Sequence, residues 1–511
     1  MKIHPFFPVL LLLASAVPAL PDPGGAPPAR EITMRECVET ALRGNIDVAV
    51  SRSEREVTGL AVPMEEAAFL PMFTGDLSYF RSIGPTGSSI AGTLTIDQSA
   101  WEFDAGVREL LRSGTTLSLS FENRRLDAGT AISLFNPEYS TALTLSVHHP
   151  LLKNSGREAT EAPLSIARAG VEAGAGDWLA KVMDTIAAAR TSFLAYHAAS
   201  REGEVRKTAL SLAEQLLEQT EARIEAGFAA PLDRLPAEAA AASRKEELLR
   251  AEAAARNAED DLKNVLGLRA DQDWEERLVP VPPEGVPLPP GQDDTFEEAM
   301  RRRPEVLALS ARTRRTEIEE SVAKNRILPD LSLTASGGLT GLTGSLNPNP
   351  FFSGGGEGFE GGYGDSLEEM FSGKHYTWFV GLSTEIPWKF AREKAEWARA
   401  RSVLEQQHLR EEGLRAQIRT EVRKARRDLA SALARVDAAA ASVAADRGKL
   451  EAEERRLALG ATTTTQVLEF QQDYARALLA EVKAMTDAYV AQTRLWRSVG
   501  TIVEKEGISI R

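Results

Sequence analysis

The sequence predicts an α plus membrane-β chain, internally duplicated, in which very long coiled-coil helices alternate with amphipathic strands. Three observations lead there. Segments recur at constant offsets, apolar residues repeat every seven positions over long stretches, and four other stretches change to a period of two. The composition is that of a folded protein: 511 residues, 43% hydrophobic and 26% charged, with length enough for about three domains. Acidic residues outnumber basic ones by 74 to 60, a net charge of −14, which removes the electrostatic basis for nucleic acid as a partner. One cysteine, Cys37, excludes an internal disulfide framework and reads as a small buried hydrophobe on a helix.

The first element is a leader. Residues 1–20 carry Lys2, the apolar run Phe6 to Leu13 and the small residues Ala14 to Ala19, the pattern of a secretory signal peptide cleaved after Ala16 or Ala19. Cys37 follows Met34-Arg35-Glu36, so it lacks the small residues that precede a lipidated cysteine. Nothing later approaches the roughly 20 apolar residues of a transmembrane helix. If the mature chain spans a membrane, it does so as a closed β-barrel.

The repeat sets the organisation. Ala41-Leu42-Arg43-Gly44-Asn45, leading to Leu70-Pro71, recurs as Ala299-Met300-Arg301-Arg302-Arg303, leading to Leu328-Pro329, and both ends shift by 258 positions. Gly227 to Gly267 and Gly460 to Gly500 form a second pair, offset by 233. The expected organisation is a first repeat over 21–270, a Pro-rich linker over 271–294, a second repeat over 295–505 and a tail over 506–511, each repeat reading helix, strands, long helix, turn, helix. The run Pro280 to Pro290 makes the linker stiff.

In the second long helix Val422, Leu429, Val436, Val443, Leu450 and Leu457 fall seven apart, a spacing that imposes a left-handed supercoil. Leu468, Ala475, Val482, Tyr489 and Trp496 continue it after a turn. In the first copy Leu179, Ile186 and Phe193 are followed by Leu210, Leu217 and Ile224, with a stammer between the two sets. The helix expected over 158–226 would span roughly 100 Å. The two shorter helices of the same copy, about 33–70 and 232–268, stacked end to end match it in length.

The strands alternate. Leu143, Leu145 and Val147 interleave with Ala142, Thr144 and Ser146, and Thr116–Phe121, Leu331–Ser336 and Trp378–Ser383 do the same. A half-exposed soluble sheet shows this pattern too; export and the lack of a spanning helix favour a barrel. Four core strands per chain are too few for one, so the barrel is shared between chains. The residues around Trp101-Glu102-Phe103 and Thr115–Phe121 form either an external hairpin or further wall strands.

The order of elements, the duplication, and the segments Leu70-Pro71, Arg223-Ile224-Glu225-Ala226-Gly227, Gly381 to Trp388 and Arg456-Leu457-Ala458-Leu459-Gly460 resemble the TolC family of outer-membrane efflux channels across residues 31–505. The resemblance implies a homotrimer in the cell outer membrane: a long α-helical coiled-coil barrel in the periplasm, continuous with a trimeric outer-membrane β-barrel of twelve strands in contact with lipid. It also implies a duct for small molecules or proteins that works with a periplasmic adaptor protein and an inner-membrane pump or ABC transporter of an efflux or type I secretion system. No cofactor and no enzymatic activity are implied.

Turns between long and short helices, Gly227 to Asp233 and Gly460 to Gln466, join helix-ending Gly to poor helix formers, as hairpin tips do. By resemblance they meet the adaptor through Arg223, Gly227, Phe228, Arg456, Gly460 and Ala461, and the periplasmic aperture positions fall on Asp233, Gln466 and Glu469, an amide replacing one carboxylate. The family's tyrosine and arginine gate positions fall on Leu457 and Thr462, so a polar latch does not carry over. His148-His149 point to opposite faces of a strand and do not suggest a metal site. The Gly-rich stretch Ser353 to Gly362 lacks the context of a phosphate loop and reads as an extracellular loop. No Gly-x-Ser-x-Gly elbow or His-Glu-x-x-His helix supports a hydrolase. The competing expectation is a non-conducting structural or adhesive coiled coil with a β anchor.

Overall fold

The computed structural model describes residues 29–87, 94–130, 133–283, 285–347 and 358–509; the leader and positions 353–357 of the Gly-rich stretch lie outside them. In chain order the elements are β1 (Ala29–Ile32), α1 (Met34–Gly44), α2 (Ile46–Gly59), α3 (Ala61–Glu66), β2 (Met72–Pro85), β3 (Thr95–Leu110), β4 (Thr116–Asp127) and β5 (Phe135–Pro150). They continue with α4 (Arg157–Thr160), α5 (Ala162–Glu225), α6 (Arg234–Leu266), α7 (Asp271–Glu275), β6 (Arg277–Pro280), α8 (Phe296–Arg302), α9 (Pro304–Asn325) and β7 (Asp330–Leu346). The last are α10 (Tyr363–Phe371), β8 (Tyr376–Glu385), α11 (Ala391–Ala458), α12 (Thr464–Val499) and α13 (Ile502–Lys505).

The duplication is written into the helix ends. The expected single helix over 33–70 breaks at Asn45, whose side chain accepts from the backbone N–H of Asp47 and Val48 at 3.0 and 3.3 Å and so caps α2. Its counterpart 258 residues on, Arg303, separates α8 from α9, and Pro304 at the first helical position begins α9. Gly227, Gly267, Gly460 and Gly500 all take the left-handed conformation, with φ of 79°, 72°, 72° and 86°. At each, the glycine N–H bonds the carbonyl three residues back while the next N–H reaches back five, as in Phe228 to Arg223 at 2.8 Å and Ala461 to Arg456 at 2.9 Å. Four Schellman caps at repeat-related positions end four helices in one way.

The chain divides into two compact units. One comprises Met1–Gly44, Ala189–Val286 and Ala441–Thr486. In it β1 pairs in parallel with β6, and the buried Glu259 and Lys263 on α6 anchor the start of the Pro-rich segment. Glu259 accepts from the Leu278 N–H at 2.9 Å, while the Lys263 ammonium donates to the Trp274 and Glu276 carbonyls at 2.8 and 2.7 Å. The Tyr196 hydroxyl donates to the Leu278 carbonyl. Cys37 is fully buried on α1, and that burial pushes its thiol up to about 12.

The other unit comprises Asn45–Ala188, Pro287–Ala440 and Asp487–Arg511. Here the heptad seam of α11 packs on α12: Ile418, Val422, Leu429, Leu495 and Val499 are buried together, with Val436 partly buried against them. Each such side chain contributes roughly 1.5–3 kcal/mol on leaving water. The seam expected on α5 holds through Ile186 and Phe193. Past the stammer, in the first unit, it shifts: Ala209, Ala213, Leu216 and Thr220 are buried, while Leu210, Leu217 and Ile224 are only half-buried. The long helix begins later than expected, because α4 stops at Thr160.

The sheet overturns the count of four strands. Six strands form one antiparallel sheet in the order β2-β3-β4-β5-β7-β8. In this insertion β3 pairs with β2 over Thr95–Arg108 and β4 pairs with β5 over Thr116–Leu126, so it adds two strands to the sheet whose backbone groups find partners over most of their length.

Candidate functional site

The sheet's two faces differ in chemistry, row by row. Side chains paired across strands share a face, and successive rows point to opposite faces. One row reads Phe73, Val107, Leu119, Leu145, Gly337, Trp378; the next reads Thr74, Gly106, Ser120, Thr144, Gly338, Thr377; the third reads Gly75, Ala105, Phe121, Leu143, Leu339, Tyr376. Over these rows one face is therefore apolar from β2 to β8, and on the outer strands it is bare: Phe73 is 81% and Trp378 74% exposed. The opposite face carries Asp76, Glu102, Asp104, Glu122, Arg124 and rows of Ser and Thr. Arg124 pairs there with Glu102 at 3.4 Å. His148 and His149 bond Thr334 and Thr115 at 3.2 and 2.9 Å on their opposite faces. Among the described residues no group of three or more His, Cys, Asp or Glu could hold a metal.

A short helix covers part of the apolar face. Thr141 donates to the Ser366 carbonyl at 3.0 Å, Tyr363 donates to Asn123 at 2.8 Å and Thr343 donates to the Gly362 carbonyl at 2.9 Å, which fixes α10 against β4, β5 and β7. Gly341 is what permits the approach, because a Cβ there would lie 2.0 Å from the Ser366 carbonyl oxygen.

At the other candidate site, the two tips are built alike. After the Gly227 cap, Pro231 opens a 3-10 turn and Asp233 accepts from the Ala230 N–H at 3.0 Å. After the Gly460 cap, Gln466 donates to the Glu469 carboxylate at 3.1 Å. The tips are tied: Arg223 donates to the Leu457 carbonyl at 2.9 Å, above a cluster of buried Leu216, Leu450, Leu457 and Val467. Arg456 reaches Glu453 at 3.2 Å and the Ala461 carbonyl at 3.4 Å, and the Thr462 hydroxyl also donates to Glu453. Leu457 and Thr462 are thus spent on contacts within the chain. Asp233 and Glu469 are exposed, Gln466 half so. Sequence reasoning singled out Phe228, 79% exposed, but missed Leu232, Leu235 and Leu459, the last 84% exposed. Their signal was large apolar residues inside or beside turns, off any heptad position.

A sequence model of the family described as outer membrane efflux protein matches residues 37–268 and 295–501, once in each copy. No curated protein matches the sequence. Among solved structures, the outer-membrane channel OprN is similar at 18% identity over 92% of this chain and 90% of that one, with a TM-score of 0.64. The Campylobacter jejuni CmeC outer membrane channel is similar at 14% identity over 93% and 90%, also at 0.64. The outer membrane protein VceC from Vibrio cholerae is similar at 14% identity over 91% and 96%, again at 0.64. At such identities the likeness is one of fold.

Proposed function

From the premise that this chain belongs to the outer membrane efflux protein family, a family of TolC-like, non-enzymatic outer-membrane channels, we propose that three copies form a passive exit duct. The duct serves an energised inner-membrane pump or ABC transporter through a periplasmic adaptor. The observation that supports this reading most is the apolar band on one face that runs across all six strands and is bare on the two outer ones. Such a face favours lipid on one side while the Ser, Thr and charged rows favour water on the other. Open strand edges are costly in hydrocarbon, which favours closure with further copies.

The tip residues take their part in the same reading. Arg223, Gly227, Phe228, Arg456, Gly460 and Ala461 form the surface offered to the adaptor, and Asp233, Gln466 and Glu469 the aperture. No chemistry is asked of the chain, since a conduit needs only a lined path and a partner that supplies energy.

The test has two arms. Purified protein in mild detergent should have the mass of three chains, and in planar bilayers it should carry current. A trimer without conductance would favour the structural or adhesive role instead. Crosslinking in intact envelopes, with identification of the inner-membrane partner, then decides between efflux and protein secretion.

A further inference from the structure

The inserted hairpin β3–β4 is held at both ends. The rows from Ala100 and Leu126 to Arg108 and Ser118 are paired to β2 on one side and to β5 on the other. Its turn is knit into the junction where β5 passes into α4. Arg112 donates to Glu161 at 2.7 Å and lies over the Phe69 ring at 5.3 Å, and the Gly156 N–H bonds the Ser113 carbonyl at 3.2 Å. Gly114, at φ 89°, fits where a Cβ would come within 2.9 Å of the Thr160 hydroxyl. A flap hung outside the wall would not be pinned this way.

The sheet is also staggered as a barrel wall is. The row that starts at Met72 runs through Arg108, Ser118, Ser146 and Ser336 and ends at Phe379, whereas β8 continues six residues further to Glu385. Six residues over the five steps from β2 to β8 is slightly more than one per strand, close to the ratio of one found in closed barrels whose strands tilt by about 36°. The two edges are complementary in direction, because β2 and β8 are antiparallel to each other in an alternating six-strand order. Both are exposed along nearly their whole length. Within one chain they sit at opposite ends of the sheet.

We infer that the occupant of each edge is a second copy of this chain, β2 of one copy pairing with β8 of the next, so that three copies of six strands close an eighteen-stranded wall. The inference rests on the three-copy reading above. Barrel diameter grows roughly linearly with strand number, which makes the outer mouth about half again as wide as that of a twelve-stranded barrel. The hairpin also brings most of the charge on the polar face: Glu102, Asp104, Arg108, Glu122 and Arg124 lie on it, whereas the same face of β7 shows Ser332, Thr334, Ser336 and Thr340.

Single-particle imaging of the full chain in detergent tests the count. Eighteen strands around a three-fold axis are expected. Twelve strands with the hairpin outside the wall would overturn the inference and leave the trimer standing, whereas any other symmetry would overturn the three-copy reading itself. The edge pairing is tested with Ser78→Cys combined in turn with Thr377→Cys, Gly381→Cys and Ser383→Cys, all on the polar face, the native Cys37 being buried. At least one pair should oxidise to covalent dimers and trimers. A bridge formed within single chains, or none from any pair, would overturn the pairing.

Discussion

Arg497 near the end of α12 donates to Glu305 near the start of α9 at 2.7 Å, and Arg303 donates to the same carboxylate at 3.1 Å. Arg303 also bonds Glu421 on α11, and Arg497 bonds Asp184 on α5 at 2.6 Å. Four helices of the second unit meet in this ionic knot. The repeat-related residue of the first copy, Asp47, is exposed and pairs with Lys181 at 2.6 Å.

The knot predicts a pH dependence. Burial alone would lift the Glu305 carboxyl, but the Arg303 hydrogen bond and the Arg497 charge outweigh it and hold the group at about 2. A depressed carboxyl contributes stability that is complete above its unfolded value of about 4.3 and is lost as pH falls toward 2. Glu305→Gln should therefore cost about 3 kcal/mol at pH 7, since it leaves two part-buried guanidiniums short of a partner. The gap from the parent should narrow below pH 4. Asp47→Asn should cost less than about 1 kcal/mol. Helix melting by circular dichroism from pH 7 to pH 3 measures both, and a pH-independent gap would refute the assignment.

A second prediction concerns the seam. Leu429 is 1% exposed, so Leu429→Ala should cost about 3 kcal/mol. Val436 packs against the same cluster while Val443 lies outside it. Val436→Asp should accordingly lower trimer yield and melting temperature more than Val443→Asp. Equal effects would place the seam on another face.

What the sequence reveals, and what it hides, follows from the range of the interactions. The offset of 233 located the caps at Gly227 and Gly460, because helix ends are local events that need particular residues, whereas the breaks at Asn45 and Arg303 were read through, since the apolar pattern continues across them. Val422 and Leu429 were legible because a seven-residue period repeats within one helix. The place of β3 and β4 within the sheet was not: alternation in Thr116–Phe121 is the same whether the segment pairs in the sheet or beside it, and the deciding bonds run to residues outside the segment. The buried set on α5 past the stammer was hidden for a related reason. Small Ala209 and Ala213 face the neighbouring helices where larger Leu210 and Leu217 would be chosen by hydrophobicity alone. The tip leucines Leu232 and Leu459 carry no period at all.

The seat of α10 predicts a contrast between two glycines on the same face of β7. Gly341→Ala would press a methyl on the Ser366 carbonyl, whereas a Cβ at Gly337 meets nothing within 4 Å. Overpacking of this kind costs about 1–3 kcal/mol, and here it falls on the docking of α10. Trypsin should therefore cut after Lys374 about tenfold faster or more in Gly341→Ala and at the parental rate in Gly337→Ala. Equal rates would mean that α10 is not held by this face.

The aperture assignment makes the last prediction. If Asp233 and Glu469 ring a narrow lumen three times each, their charges reinforce one another and draw cations. If they merely serve the helix starts, Asp233 acts through the bond it accepts from Ala230 at 3.0 Å, and the lumen does not feel it. Asp233→Asn separates the two roles, because the amide oxygen still accepts that bond while the charge is gone; Asp233→Ala loses both and should cost about 1 kcal/mol of cap stability. Under the aperture assignment, Asp233→Asn with Glu469→Gln keeps trimer formation and thermal stability and lowers cation preference in single-channel recordings. Gln466→Asp should strengthen that preference, since it restores a carboxylate where this chain carries an amide, at the loss of the 3.1 Å bond from Gln466 to Glu469. A reversal potential that moves with neither change, in channels that conduct normally, would take all three residues out of the pore.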